Sequence, residues 1–310
     1  MRLRPLPPRA GSMQSIRPLR FMATLLAALA LCGGTLACSA LPRGAPSNEG
    51  TPFPWEDRLR GDAIILLGEM HDNAVQHRLR LEVLQRAFEA GWRPAIVMEQ
   101  FDREHQGDID RARLARPNDA GYLIEQAALE QDRAARGWNW DYYRPYVALA
   151  LHYQVPLLAG NLSRADAGKI VAEGYGAIFD DATEHRLGLD QEVPARLTAQ
   201  ESAIDVGHCH SLSADQLPAM ARAQLARDAV MAAILQDHAA QGVVLLAGNG
   251  HVRRDVGVPT WFRAAMHDRA FAVGFLEEGD DTPPAAFDAV ARTAAASRPD
   301  PCAALRPHAS

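Results

Sequence analysis

Ile64-Ile65-Leu66-Leu67-Gly68-Glu69-Met70-His71-Asp72 is the stretch on which the fold turns. Four apolar residues in a row, with no polar residue alternating between them, read as a short strand covered on both faces. Gly68 ends the run. From Val75 the spacing changes to Leu81, Leu84 and Phe88, which is helical, and Gly91 stops it. Working outward, the strand signal returns at Ala95–Met98, Val155–Leu158, Val243–Leu246 and Phe271–Phe275. Short apolar strands separated by helices predict an α/β fold, a mainly parallel sheet flanked by helices. Residues 163–241 are almost strand-free and hold a long helix from Ser213, with Gln216 completing a capping box. They predict a smaller inserted helical domain. The α/β domain then comprises residues 55–162 and 242–292, and 293–310, rich in Ala, Ser and Pro, reads as a disordered tail.

The N-terminal region has a different purpose. Phe21–Leu31 is an apolar run preceded by Arg17 and Arg20 and followed by small residues up to Ala40. That order predicts a secretory signal over residues 1–40, too short for a permanent membrane span, with export to the cell envelope, periplasm or outer membrane. Met13 and Met22 are alternative starts. Thr35-Leu36-Ala37-Cys38 approximates a lipobox, with acylation at Cys38 and plain cleavage after Ala40 as the two outcomes. Residues 41–54 are dense in Pro, Gly and Ser, as in a tether. Of the other cysteines, Cys32 leaves with the signal, and the distant Cys209 and Cys302 make no disulfide framework.

Composition narrows the chemistry. The 310 residues are 48% hydrophobic and 23% charged, as in an ordinary globular protein, and 32 basic against 38 acidic residues leave a net charge of −6. No basic block marks a nucleic-acid partner. Lys169 is the only lysine, so there is no phosphate-binding Gly-Lys-Ser/Thr loop and no lysine for Schiff-base work.

Ligands of open parallel sheets sit beyond the carboxyl ends of the strands. Four predicted strands run into polar residues there: Glu69, His71 and Asp72; Glu99 and Asp102; Asn161; and Gly248-Asn249-Gly250-His251. Any one of them alone reads as a loop residue or a helix cap, but together they predict one cleft. Gly248-Asn249-Gly250 lacks the third glycine of a dinucleotide fingerprint. Glu69, His71 and His251 form a ligand set that can hold a divalent metal with an open position. His77, on the following helix, reads as a surface or packing residue.

Two other segments stand out. Trp138-Asn139-Trp140-Asp141-Tyr142-Tyr143-Arg144-Pro145-Tyr146 reads either as a core-packing helix start with Pro145 in its first turn or as a flat wall for a planar ligand, with a tyrosine oxygen suited to ferric haem. His208-Cys209-His210, after Gly207, offers imidazoles for a metal or haem, or simply caps and packs. On the long helix Gln224, Asp228 and Met231 share a face beside Arg227, which predicts a buried polar network or a cleft wall.

In combination, GEMHDN (68–73), VMEQFDR (97–103), WNWDYYRPYVALA (138–150), VPLLAGN (155–161), GHCH (207–210), AQLARDAVMA (223–232) and LLAGNGHVRRDVGVP (245–259) resemble the ChaN family of iron-regulated haem-binding lipoproteins. The resemblance implies an exported protein of haem or iron acquisition, with haem stacked in pairs across a homodimer and an outer-membrane uptake partner. It implies Tyr143 as the tyrosine on iron, with His208 assisting and His210 and Arg144 beside them. The family's His-Cys-Gly is His208-Cys209-His210 here. The Gly-Glu-x-His and Gly-x-x-His motifs are also similar to those of Tiki-type proteases and erythromycin-esterase-like hydrolases. That wider resemblance implies a metal-dependent hydrolase as the alternative, with metal on Glu69, His71 and His251.

Overall fold

Six strands form one sheet in the computed structural model, which describes residues 52–129, 137–191, 194–300 and 302–303. They are β1 (Ile64–Leu67), β2 (Ala95–Asp102), β3 (Leu157–Asn161), β4 (Val243–Leu246), β5 (Ala270–Glu277) and β6 (Ala289–Thr293). Their order is β3-β2-β4-β1-β5-β6, and every neighbouring pair is parallel. The α/β architecture is the one the apolar runs predict. All five expected strands are present; β6 is additional, because Ala289-Val290-Ala291-Arg292-Thr293 has no continuous apolar run and only its pairing with β5 makes it a strand.

Side chains alternate across the sheet, so each strand feeds two cores. On one face Ile65, Leu67, Ile96, Met98, Val244 and Leu246 pack against helices α1 (Ala74–Glu89) and α4 (Trp140–His152), through Val83, Leu84, Phe88, Tyr143, Tyr146 and Val147. On the other, Ile64, Leu66, Val97, Val243 and Leu245 meet Met231, Ala232 and Leu235. Each fully buried aliphatic side chain contributes roughly 1.5–3 kcal/mol by leaving water. Between these elements lie α2 (Gln106–Ala115) and α3 (Ala120–Ile124).

The segment between β3 and β4 is helical, as predicted: α5 (Arg164–Glu173), α6 (Asp181–Leu187), α7 (Pro194–Gly207) and α8 (Gln216–His238). It has a small core of its own, in which Leu162, Ile170, Phe179 and Leu187 pack on Ala226, Ala229 and Val230. The described residues nevertheless lie in one compact unit, because α8 serves both this core and the sheet. Ser213 and Gln216 form the reciprocal capping box, at 3.0 and 3.2 Å. At ~1.5 Å per residue α8 far outreaches the strands it covers, so its first half overhangs their carboxyl ends. Short helices α9 (Asn249–Val252) and α10 (Ala264–His267) complete the chain.

Three expectations need correction at the ends of the fold. Residues 293–300 do not fray: Thr293 ends β6, and Arg298 is ion-paired to Asp72 and Glu277. Cys209 and Cys302 are disulfide-bonded, with Cα atoms 5.6 Å apart, because the chain after β6 returns to the end of α7. Phe53, in the predicted tether, stacks on Trp55 and meets Phe275 edge-on. Pro145 sits in the second turn of α4 rather than the first. The predicted signal and Cys38 lie outside the described residues. No described helix is long and apolar enough to cross a membrane.

Candidate functional site

Glu69 leaves the end of β1 and is 1% exposed. A buried carboxylate needs partners, and Tyr143, His71 and Arg80 supply them. Its Oε1 accepts hydrogen bonds from the Tyr143 hydroxyl at 2.6 Å and from His71 Nδ1 at 2.8 Å. Its Oε2 is ion-paired with Arg80 and faces His77 Nδ1 at 3.5 Å. Arg80 is wholly buried, its guanidinium 5.6 Å from the Tyr146 ring centroid. His77 donates from Nε2 to the His71 carbonyl at 3.0 Å and stacks on Tyr142. Burial pulls its pKa down to about 4, so the ring is neutral at pH 7.

The second cluster surrounds His251, carried by α9 after β4. Its Nδ1 donates to Asp228 Oδ1 at 2.6 Å, and its Nε2 lies 3.4 Å from Glu99 Oε1. The Gln224 side-chain nitrogen is 3.2 Å from both ring nitrogens. Burial disfavours the imidazolium, but the charges of Glu99 and Asp228 and their hydrogen bonds outweigh it and push the pKa up to about 10. Burial likewise raises Asp228, to about 6. Against burial, the His251 charge and hydrogen bonds hold Glu99 well below the usual carboxylate range. At neutral pH this is an imidazolium between two carboxylates.

Gly248 joins the clusters. Its amide donates to Glu99 Oε2 at 2.7 Å, and a Cβ there would lie 2.9 Å from His71 Cε1 and 3.1 Å from Nε2. The His71 side chain is 47% exposed, with Trp138 edge-on at 4.8 Å. With Nδ1 committed to Glu69, its Nε2 has no hydrogen-bond partner among the described residues. Nε2 is therefore the free donor atom of the site.

The structure gathers Glu69, His71, Glu99, Gln224, Asp228 and His251 into these two neighbouring clusters, in which Glu69, Glu99, Asp228 and His251 are buried. Asn161 is buried at the end of β3, and among the described residues its Oδ1 has no hydrogen-bond partner. The proposed metal set is not formed, and among the described residues no group of three or more His, Cys, Asp and Glu side chains is arranged to hold a metal ion. The reason is commitment: Glu69 is saturated by Tyr143, His71 and Arg80, and protonated His251 has no lone pair to give. Tyr143, expected to face a ligand, is 1% exposed, and burial raises its pKa far above the usual phenol value. His208 and His210 are exposed and separate from both clusters, bonded instead to the Ile204 carbonyl and to Asp205. Arg144 is exposed, with its guanidinium against Gly121 of α3.

The residues that sequence reasoning missed are Arg80 and His77. Their signal was present, since both fall at i, i+3 on the stripe that continues through Val83 and Leu84 into the core. An ionisable residue on the core-facing stripe of a helix announces a buried partner.

Comparison with known proteins follows this geometry. The sequence profile described as haem-binding uptake, Tiki superfamily, ChaN matches residues 55–262, from the first turn before β1 to past α9. The chain belongs to this family. Among solved structures, ChaN of Campylobacter jejuni, with cofacial haem bound, is similar at a TM-score of 0.58 and 20% identity, over 76% of this chain and 88% of that one. That likeness, within the ChaN family, is one of fold. An erythromycin esterase in an open conformation matches at a TM-score of 0.42 and 11% identity, over 71% of each chain. None of the functionally curated proteins matches the chain.

Proposed function

We propose that the protein binds haem at the mouth where β1, β2 and β4 end and handles it in the cell envelope. The observation that carries this reading is His71. Its Nδ1 is fixed on a buried carboxylate, its Nε2 has no partner among the described residues, and Trp138 stands at its edge. A histidine oriented by a carboxylate through one nitrogen offers the other to a metal centre as a well-aimed, more basic donor. When bound, haem would supply an iron centre that His71 Nε2 could hold. Tyr143, the donor that the family resemblance implies, is held as a neutral phenol by Glu69, so His71 is the donor this structure presents. Exposed Arg144 is a cation suited to a propionate.

The finer parts of the proposal have separate support. The cofacial haem of the C. jejuni protein favours haem stacked between two copies of this chain, with exposed His208 and His210 available to the partner. The Cys209–Cys302 bond favours an oxidising compartment, in agreement with the apolar run at Phe21–Leu31 and an outer-membrane partner for uptake.

Titrating the protein with haemin tests the reading. A saturable Soret band near one haem per chain is expected, weakened at least about tenfold by His71→Ala and retained by Tyr143→Phe. Loss of the band in Tyr143→Phe with retention in His71→Ala would transfer the iron to the phenol. Absence of any saturable band would end the haem reading.

The Glu69–His71 pair also favours a second reading, hydrolysis without a metal, in which Nε2 accepts a proton from water while Glu69 steadies Nδ1–H. Turnover of ester substrates that His71→Ala abolishes would select it.

A further inference from the structure

Beyond β6 the chain is held against the loop that carries His71. Gln76 bonds Thr293 Oγ1 at 3.0 Å, and Asn73 bonds the Ala294 carbonyl at 3.0 Å. Arg298 makes two 2.7 Å bonds to Asp72 and two more to Glu277. The same Gln76 accepts from the Met70 amide at 2.7 Å, so residues 70–76 are tied to 293–298 on one side and to Glu69 on the other. Four residues past Arg298, Cys302 is bonded to Cys209, between His208 and His210. Four residues of extended chain span at most ~14 Å. The strap therefore links the His208–His210 loop to the segment that carries His71.

The disulfide is the covalent link between strap and loop. Cys209 and His210 have φ of 57° and 55°, uncommon for non-glycine residues, in a turn that ends α7 and is closed by the His210 amide donating to the Asp205 carbonyl at 2.9 Å. Asp72 is 55% exposed, so its pair with Arg298 is too open to hold the strap alone. A covalent tether four residues away keeps Arg298 at high local concentration.

We infer that the C-terminal strap is a positioning element of the ligand site, fixing the His71 and His208–His210 loops relative to each other, and that the Cys209–Cys302 bond makes this positioning respond to thiol redox state. The ligand part of the inference rests on the haem reading; the mechanical part does not. In the redox step a dithiol reductant attacks one sulfur and closes to its own disulfide, passing two electrons and two protons to Cys209 and Cys302. The two free thiols release the loop, and the strap keeps only its non-covalent bonds to Asp72, Asn73, Gln76 and Glu277.

The test uses the full chain in three forms: oxidised; reduced, alkylated and freed of reductant; and Cys302→Ser. Hydrogen exchange is read at residues 70–76 and 207–210, and haemin affinity and Soret position are read alongside. Breaking the bond is expected to speed exchange at both loops by about tenfold or more, to weaken haemin binding by a similar factor and to move the Soret maximum. Arg298→Ala should reproduce the effect at residues 70–76 with the disulfide intact, and Arg298→Lys should restore part of it. Unchanged exchange at both loops in reduced and Cys302→Ser protein would overturn the inference whether or not haemin binds. Faster exchange with unchanged haemin affinity and spectrum would overturn its ligand part. Failure of the oxidised protein to bind haemin would count against the haem reading alone.

Discussion

The Tyr143 hydroxyl donates a 2.6 Å hydrogen bond to Glu69 Oε1, and neither side chain is open to solvent. That bond decides which atom faces outward. Tyr143 and Arg80 fix Glu69 from within, Glu69 fixes His71 Nδ1, and His71 alone carries the chain of contacts to the surface. A buried carboxylate used in this way is a support for the ring rather than a ligand itself.

Glu69→Gln removes the charge that balances Arg80. Leaving a wholly buried guanidinium without a counter-ion is expected to cost about 3–5 kcal/mol, read as a lower urea midpoint with unchanged slope. Arg80→Met should also destabilise. The double variant should lose less than the sum of the two, because the second change removes the charge that the first strands.

Stability should fall on both sides of neutrality. His251 is raised to about 10 from 6.5, so the folded protein holds its proton more tightly than the unfolded chain does. Its contribution is complete below about pH 6.5 and is lost as pH rises towards 10. His77 is depressed to about 4, so its contribution is complete above about 6.5 and is lost as pH falls through 4. Thermal midpoints measured from pH 4 to 10 check both limbs, and His251→Gln should flatten the alkaline one.

Gly248→Ala separates binding from folding. The backbone there is extended at φ −61° and accepts alanine, but the new methyl would meet the His71 ring at 2.9 Å. The ring is half exposed and can swing away, breaking its bond to Glu69. Weaker haemin binding with a near-native unfolding midpoint is expected, measured by titration and denaturation on the same preparation.

Asn73→Ala tests the seam between α1 and the strap. Asn73 caps α1 by accepting from the Val75 and Gln76 amides, both at 3.1 Å, and its amide donates to Glu277 at 2.7 Å. Loss of the cap should cost about 1–2 kcal/mol in a denaturant titration. Exchange at residues 70–76 should rise as the strap loses one of its anchors.

The sequence by itself determined five of the six strands. Unbroken apolar runs such as Ile64–Leu67 and Val243–Leu246 read as strands covered on both faces, and polar residues placed directly after them as strand-end residues. Glu69, His71, Glu99 and His251 were legible for that reason, as were Gln224 and Asp228 from their shared helix face. Only the tertiary structure decided that β4 lies between β1 and β2, which puts Gly248 against His71 and Glu99. It also decided that Tyr143 turns inward to Glu69, that His251 is held between Asp228 and Glu99, and that Cys302 is bonded to Cys209. Local pattern records which face of an element leaves water, because that depends on period alone. Which group meets which across the sheet depends on strand order and on polar groups paired far apart in the chain, as Asn73 and Glu277 are across 204 residues.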